Sequence, residues 1–295
     1  MGQELLIELV SDCNLQCKMC AFKQGFTHKR MNDDVVEQIF KDIAEVNKSD
    51  SLYYFTDLRM DGNSESLLYP NLPFVIQCAN KAGIKNINIT TNGVLLKPSI
   101  TDQLVESNLT TIDISMTGII PEIYKEFQGY GLSEKQLVDQ IETIKSNVKY
   151  FIEQKKKKNK NIILTMRYII TEKTKDHFLD YIDCFKALGA DAVMGMTLTK
   201  TKLRGKCHPK GEIVGYKSCE SPEHPVICAN GDVLMAFCPY EVPVIGNYHE
   251  SSIKEIFLSK ENQERLQAFQ KVIVSGIPEN CRNCHNTHIY RGGKW

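Results

Sequence analysis

Apolar and polar positions follow two rhythms along the first 198 residues. Short apolar stretches at 4–10 (ELLIELV), 52–60, 86–91 (NINITT), 110–116 (TTIDISM), 162–170 (IILTMRYII) and 191–198 (DAVMGMTL) read as strands. Between them apolar residues take helical spacing. Over 33–48, Val35, Val36, Ile39, Phe40, Ile43 and Val46 form one face, with Asn32 or Asp33 placed to cap it. Further helices are expected at 72–83, 98–107, 121–156 and 175–188. Asp61-Gly62 and Asn92-Gly93 end the second and third strands with turn residues.

Strand and helix thus alternate six times before residue 200, which predicts an α/β fold with a parallel sheet and right-handed crossovers. The rhythm fits an open sheet and an incomplete barrel equally. In either, sites form at the carboxyl ends of the strands. Beyond residue 198 the alternation stops and six of the eleven cysteines appear. Residues 1–198 and 199–295 are therefore expected to form two domains. In the second, Asn230-Gly231 signals a β-hairpin that would bring Cys228 and Cys238 close together.

Composition narrows the function. The 295 residues carry 36 basic and 36 acidic side chains, so neither nucleic acid nor an anionic membrane is a default partner. The basic run Lys155–Lys160 reads as a solvated helix end. The chain has no apolar run of roughly 18–20 residues and no signal-like N-terminus, which predicts a cytoplasmic protein. Eleven cysteines, an odd number, fit metal or redox use better than disulfides in a reducing compartment. Cys78 and Cys184 fall on apolar helix positions and are expected in the core.

The densest chemistry lies directly after the first strand, where Cys13, Cys17 and Cys20 follow a C-x3-C-x2-C spacing. Three thiolates on one short loop can hold three irons of a [4Fe-4S] cluster and leave the fourth open to a small molecule. The competing reading is zinc, which prefers paired C-x2-C units and a closed set of four ligands. No fourth partner is obvious here; His28 lies eight residues past Cys20.

With the triplet at that position, the chain resembles the radical S-adenosylmethionine (SAM) superfamily. Asp61-Gly62-Asn63-Ser64-Glu65-Ser66-Leu67-Leu68 after strand two resembles the family's G-x-G-E-P-L-L segment. Thr90-Thr91-Asn92-Gly93 after strand three resembles its T-N-G segment, and Ile114-Ser115 its I-S position. The resemblance implies a partial (β/α)6 barrel in which SAM chelates the open iron. It further implies SAM contacts from Glu65, Ser64, Asn92, Ser115, Arg167 and Met19, with Glu65 facing the sulfonium and ammonium end. Gly62 would let backbone approach the ligand. Ser64 and Ser66 depart from the family's glycine and proline, and Met19 stands where an aromatic is usual.

The C-terminal part resembles the family's SPASM/twitch extension, a small cysteine-rich unit with a β-hairpin and a helix. That likeness implies one auxiliary [4Fe-4S] cluster on Cys219, Cys238, Cys281 and Cys284. The gap from Gly231 to Cys238 is longer than usual, so Cys228 remains a possible substitute ligand, and structural zinc remains the alternative metal. Cys207, in the loop after strand six, is a candidate hydrogen donor to a substrate radical.

The expected activity is reductive cleavage of SAM to a 5′-deoxyadenosyl radical that abstracts a hydrogen from substrate, with a flavodoxin- or ferredoxin-type reductant. Peptide-modifying members often begin with a leader-binding domain of about 80–90 residues. Here the first strand starts at residue 4. A small polar substrate, such as the aminocyclitols and aminoglycosides used by some members, is therefore expected, with oxidation or epimerisation as the outcome. A peptide epimerase or crosslinking enzyme is the alternative. An iron–sulfur electron carrier or zinc protein is a third reading, but a carrier has no use for Glu65, Asn92 and Arg167 around an open cluster.

Overall fold

Six parallel strands in chain order carry the first two thirds of the molecule. The computed structural model describes residues 2–18, 20, 27–62, 64–197, 210–216, 224–235, 244–270 and 288–294, of which 197, 210–216, 268–270 and 288–294 are described by backbone alone. Strands β1 (Gln3–Ile7), β2 (Phe55–Met60), β3 (Asn86–Thr91), β4 (Thr111–Ser115), β5 (Ile163–Ile170) and β6 (Ala192–Thr197) each pair parallel with the next. Helices α1 (Asp33–Val46), α2 (Leu72–Lys81), α3 (Pro98–Glu106), α4 (Pro121–Phe127), α5 (Glu134–Lys157) and α6 (Phe178–Leu188) make the crossovers.

The helical stretch expected over 121–156 is two helices. Gly129 and Gly131, the latter at φ +83°, interrupt it, and Ser133 restarts it with a capping box to Gln136. The first strand is also shorter than its apolar run. After Ile7 the backbone of Leu9 and Ser11 bonds to Met31 and Lys29 instead of β2, which closes the stem of the cysteine loop.

Beyond β6, strand β7 (Lys210–Tyr216) pairs antiparallel with the last strand, β11 (His288–Lys294). Strand β8 (Val226–Ile227) then joins the free edge of β1 in parallel, Leu6 opposite Val226 and Ile7 opposite Ile227. β9 (Asp232–Leu234) and β10 (Val244–Asn247) continue from it antiparallel. The resulting nine-stranded sheet runs β10-β9-β8-β1-β2-β3-β4-β5-β6, so β1 and β6 do not meet and the barrel stays open.

The two faces of β1–β5 differ in chemistry. Leu5, Ile7, Leu58, Ile87, Ile112, Met166 and Tyr168 point outward and are almost fully buried in the core with the helices. Burying each such side chain stabilises by about 1.5–3 kcal/mol. Glu4, Asp57, Arg59, Asn86, Asn88, Asp113 and Arg167 occupy the alternate positions and line the interior. Partly exposed ion pairs contribute about 0–1 kcal/mol each, so the outer face, not the inner lattice, holds the sheet together.

Helices α7 (Ile253–Leu258) and α8 (Lys260–Gln270) fasten the extension to the barrel. A Ser252–Glu255 capping box starts α7, and Lys254 Nζ pairs with Glu45 of α1 at 2.5 Å. Phe257 is fully buried, its ring centroid 4.7 Å from Tyr53 and 5.1 Å from Phe55 at the start of β2. Among the described residues no helix is long and apolar enough to cross a membrane. Phe257→Ala is predicted to lower unfolding free energy by about 3–5 kcal/mol, measured by denaturant titration. A loss below about 1 kcal/mol would mean that this contact does not anchor the extension.

Candidate functional site

The cysteine loop leaves the carboxyl end of β1 on a clamped stem. Ser11, 2% exposed, donates its backbone N–H to Lys29 O at 2.8 Å and accepts the Thr27 N–H on Oγ at 3.0 Å. Val10 and Arg30 form an antiparallel bridge beneath it. Within the loop, Cys20 N–H bonds to Cys17 O at 3.1 Å, a turn that folds the last two cysteines toward each other. Lys18 N–H donates to Phe127 O at 2.9 Å, which ties the loop to α4.

Cys13, Cys17 and Cys20 carry free, half-buried thiols. Burial pushes Cys13 up to about 11, with Glu65, Cys20 and Asp12 adding to the rise. Burial pushes Cys17 up to about 12, with Cys13 and Cys20 adding to it. Metal-free Cys13 and Cys17 therefore keep their protons at neutral pH, and a bound cation would be needed to hold them as thiolates. Among the described residues no three His, Cys, Asp or Glu side chains converge closely enough to hold a single ion.

Glu65 stands beside the triplet. Its backbone N–H donates to Asp12 O at 2.9 Å, so the turn after β2 and the cysteine loop are joined directly. The carboxylate is 2% exposed. Oε1 accepts from Thr91 Oγ1 at 2.6 Å and Leu67 N–H at 3.1 Å, and Oε2 accepts from Asn92 N–H at 2.8 Å. Burial nonetheless raises its pKa above the ordinary carboxylate range. Among the described residues Oε2 has that one donor.

The Asn92 side chain bridges outward. Its Nδ2 donates to Asn14 Oδ1 at 2.8 Å and lies 4.0 Å from Cys13 Sγ, while Oδ1 accepts from Val94 N–H at 3.0 Å. Gly93 follows at φ +80°, and a Cβ there would meet Ile114 and Ile144 methyls at 3.0 and 3.1 Å. The Asn-Gly turn thus needs its glycine for both conformation and space.

The other expected contacts are placed as follows. Ser64 is half-buried in the turn leading to Glu65, and Gly62 adopts φ +136° there. Ser66, where the family has proline, donates Oγ–H to Met60 O at 2.8 Å and steadies the same turn. Ser115 ends β4, half-buried, its carbonyl accepting from Gln128 Nε2 at 2.8 Å. Arg167 lies opposite Ser115 in register, but its guanidinium is engaged by Asp113 and lines the interior below the strand ends. Met19, Cys207, Cys219, Cys238, Cys281 and Cys284 lie outside the described residues.

Cys228 occupies the expected hairpin. Its N–H donates to Asp232 O at 2.8 Å, and Gly231, at φ +104°, donates to Cys228 O at 3.0 Å. Burial, with Glu8 and Asp232 adding charge, keeps its thiol protonated. Cys78 is buried in the core as expected, whereas Cys184 is half-buried on α6.

Sequence reasoning gave no role to Asp12 and Asn14 and named Thr91 only within the T-N-G segment; their bonds hold the turn, the loop and the carboxylate together. It also overlooked the interior lattice. The signal was present: strands β2, β3 and β4 place polar residues at every second position, whereas parallel strands covered on both faces read as continuous apolar runs.

Comparison with known proteins agrees with this geometry. Residues 7–189 match the radical SAM superfamily, and residues 219–285 match the SPASM iron–sulfur cluster-binding domain. A probable GTP 3′,8-cyclase of Methanocaldococcus jannaschii is 28% identical over 133 residues, which cover 45% of this chain and 42% of that protein. The chain spans less than half the length of that relative. Native anSMEcpe with bound AdoMet (SAM) and the Cp18Cys peptide superposes with TM-score 0.64 at 18% identity, over 98% of this chain and 89% of that one. BtrN in complex with AdoMet and 2-DOIA superposes with TM-score 0.53 at 14% identity, over 92% and 87% of the two chains. The open sheet, the cysteine triplet at its carboxyl end and these matches agree: the chain belongs to the radical SAM superfamily and carries a C-terminal SPASM-type iron–sulfur domain.

Proposed function

We propose that this protein cleaves SAM reductively and directs the 5′-deoxyadenosyl radical to a C–H bond of a small polar substrate held on the inner face of the barrel. The observation that carries the reading is the Glu65 carboxylate, buried and bonded to Thr91 and Asn92, next to three free thiols on one clamped loop. When bound, the reduced [4Fe-4S] cluster and SAM supply the radical chemistry. The chain's own residues do the rest. Cys13, Cys17 and Cys20 would hold three irons, and Glu65 Oε2 would receive the methionyl ammonium. Asn92 fixes the loop through Asn14, and Ser115 contributes its hydroxyl at the end of β4. Arg167, whose guanidinium is engaged by Asp113, would keep that partner and face the substrate in place of the methionyl carboxylate.

The polar interior supports a hydroxyl- or amine-bearing substrate, because an apolar ligand would strand the charges of Glu4, Asp57, Arg59 and Asp113. Cys219, Cys238, Cys281 and Cys284 would hold one auxiliary cluster with no open iron. Held there, it would supply a one-electron acceptor for an oxidation or a one-electron donor for an epimerisation. Cys207 is the candidate hydrogen donor for the latter, and a flavodoxin- or ferredoxin-type protein would be the reductant. A second reading, peptide modification, is supported by the closer superposition of peptide-bound anSMEcpe than of BtrN, TM-score 0.64 against 0.53.

The test is an anaerobic assay of 5′-deoxyadenosine on reconstituted, reduced protein with small polar and peptide candidates in heavy water. Turnover only with a polar small molecule supports the first reading, and turnover only with a peptide replaces it with the second. Deuterium in the product marks epimerisation, and its absence marks oxidation. Cys17→Ala is predicted to abolish SAM cleavage; cleavage at the wild-type rate would refute the cluster assignment. Glu65→Gln is predicted to weaken SAM binding to the reconstituted protein roughly 10- to 100-fold by calorimetry, because a charge-assisted hydrogen bond is lost. Unchanged affinity would remove Glu65 from the site. Cys281→Ala should retain part of the SAM cleavage yet form no product, and normal product formation would contradict the auxiliary role.

A further inference from the structure

The interior of the barrel holds an open cavity of about 540 Å³. Its lining carries three carboxylates, Glu4, Asp57 and Asp113, against two guanidiniums, Arg59 and Arg167. The pairing is uneven. Arg59 Nη1 pairs with Glu4 at 3.3 Å and its Nε with Asp61 at 3.4 Å, while Arg167 pairs with Asp113. Asp57 meets only neutral donors among the described residues, Thr56 Oγ1 at 2.5 Å and Asn86 Nδ2 at 2.7 Å. One negative charge therefore faces the cavity without a cation.

A second observation lies higher in the same cavity. Arg167 Nε is buried and bonds to no acceptor among the described residues. A buried donor without a partner costs free energy that a bound acceptor would recover. The cavity thus lacks one cation at Asp57 and one acceptor at Arg167. A metal ion does not suit the first vacancy, because no three potential ligands converge there or elsewhere among the described residues.

We propose that Asp57 binds a primary ammonium group of the substrate and that Arg167 Nε donates to one of its hydroxyl oxygens. The ligand class is an amino-substituted polyol. This rests on the reading that the barrel interior is the substrate pocket. Asp57 lies four residues below Asp61 on β2, roughly 13 Å down the strand from the SAM end. Asp57 is therefore a specificity residue and takes no part in bond breaking. Its register neighbours fit the role: Glu4 and Asn86 stand on either side of it on β1 and β3, and Glu4 is already partnered by Arg59 and by His224, whose Nδ1 lies 3.2 Å away.

The experiment is calorimetric titration of the reconstituted protein with glucosamine, using glucose as the amine-free control. Glucosamine is expected to bind at least tenfold more tightly than glucose. Asp57→Asn should weaken glucosamine roughly 10- to 100-fold and leave glucose unchanged, and Asp57→Glu should restore part of the difference. Thermal unfolding of each variant at the wild-type temperature shows that the change is local. Equal binding of the two sugars to the wild type, or no effect of Asp57→Asn on glucosamine, would overturn the assignment. Absence of 5′-deoxyadenosine from the wild type would count against the proposed reaction alone, since the sugar titration requires no SAM cleavage.

Discussion

A buried carboxylate organises the site. Glu65 is almost inaccessible to water, and burial alone would favour its protonated form. Three donors from two segments, Leu67 and the Thr91-Asn92 pair, oppose that cost. The same residue's backbone is bonded to Asp12 in the cysteine loop. The turn after β2, the end of β3 and the metal-binding loop are therefore one hydrogen-bonded unit. A cationic ligand arriving at Oε2 would complete the compensation, which is how a costly buried charge becomes a binding device.

The sheet makes that unit possible by separating its two tasks. The outer face spends its side chains on apolar packing against the helices and supplies the stability. The inner face is thereby free to carry charges and amides that contribute little to folding. The C-terminal extension uses the same frame. β8 adds to the open edge of β1, so the hairpin bearing Cys228 sits on the strand that leads into Cys13. Sheet pairing places β8 beside β1, the strand that leads into the cysteine loop.

Much of this was legible in residue order. The six strands, the helices between them and the Asn230-Gly231 hairpin appear where periodicity and turn chemistry put them. The break between α4 and α5 was hidden because apolar spacing continues across Gly129 and Gly131, and only the Ser133 cap marks the restart. The cysteine triplet, Glu65 and Asn92 stood out in the sequence because each lies in a short local motif, whereas the bonds that join them span 26 residues or more. The Asp57 and Arg167 environments could not be read, because they depend on strand register, which brings Glu4, Asp57 and Asn86 level only once the sheet is paired. Arg167 shows the limit most clearly: position on β5 suggested a ligand contact, while the fold supplied Asp113 as its partner.

The central claim is that Cys13, Cys17 and Cys20 hold a cluster with a vacant iron at which SAM docks. Electron paramagnetic resonance of the reconstituted, dithionite-reduced protein, recorded with and without SAM, tests it most directly. Comparison with Cys281→Ala isolates the signal of the N-terminal centre. The account predicts a [4Fe-4S] signal whose g-values shift when SAM is added. A signal untouched by SAM, or no iron and sulfide bound at those three thiols, would contradict it.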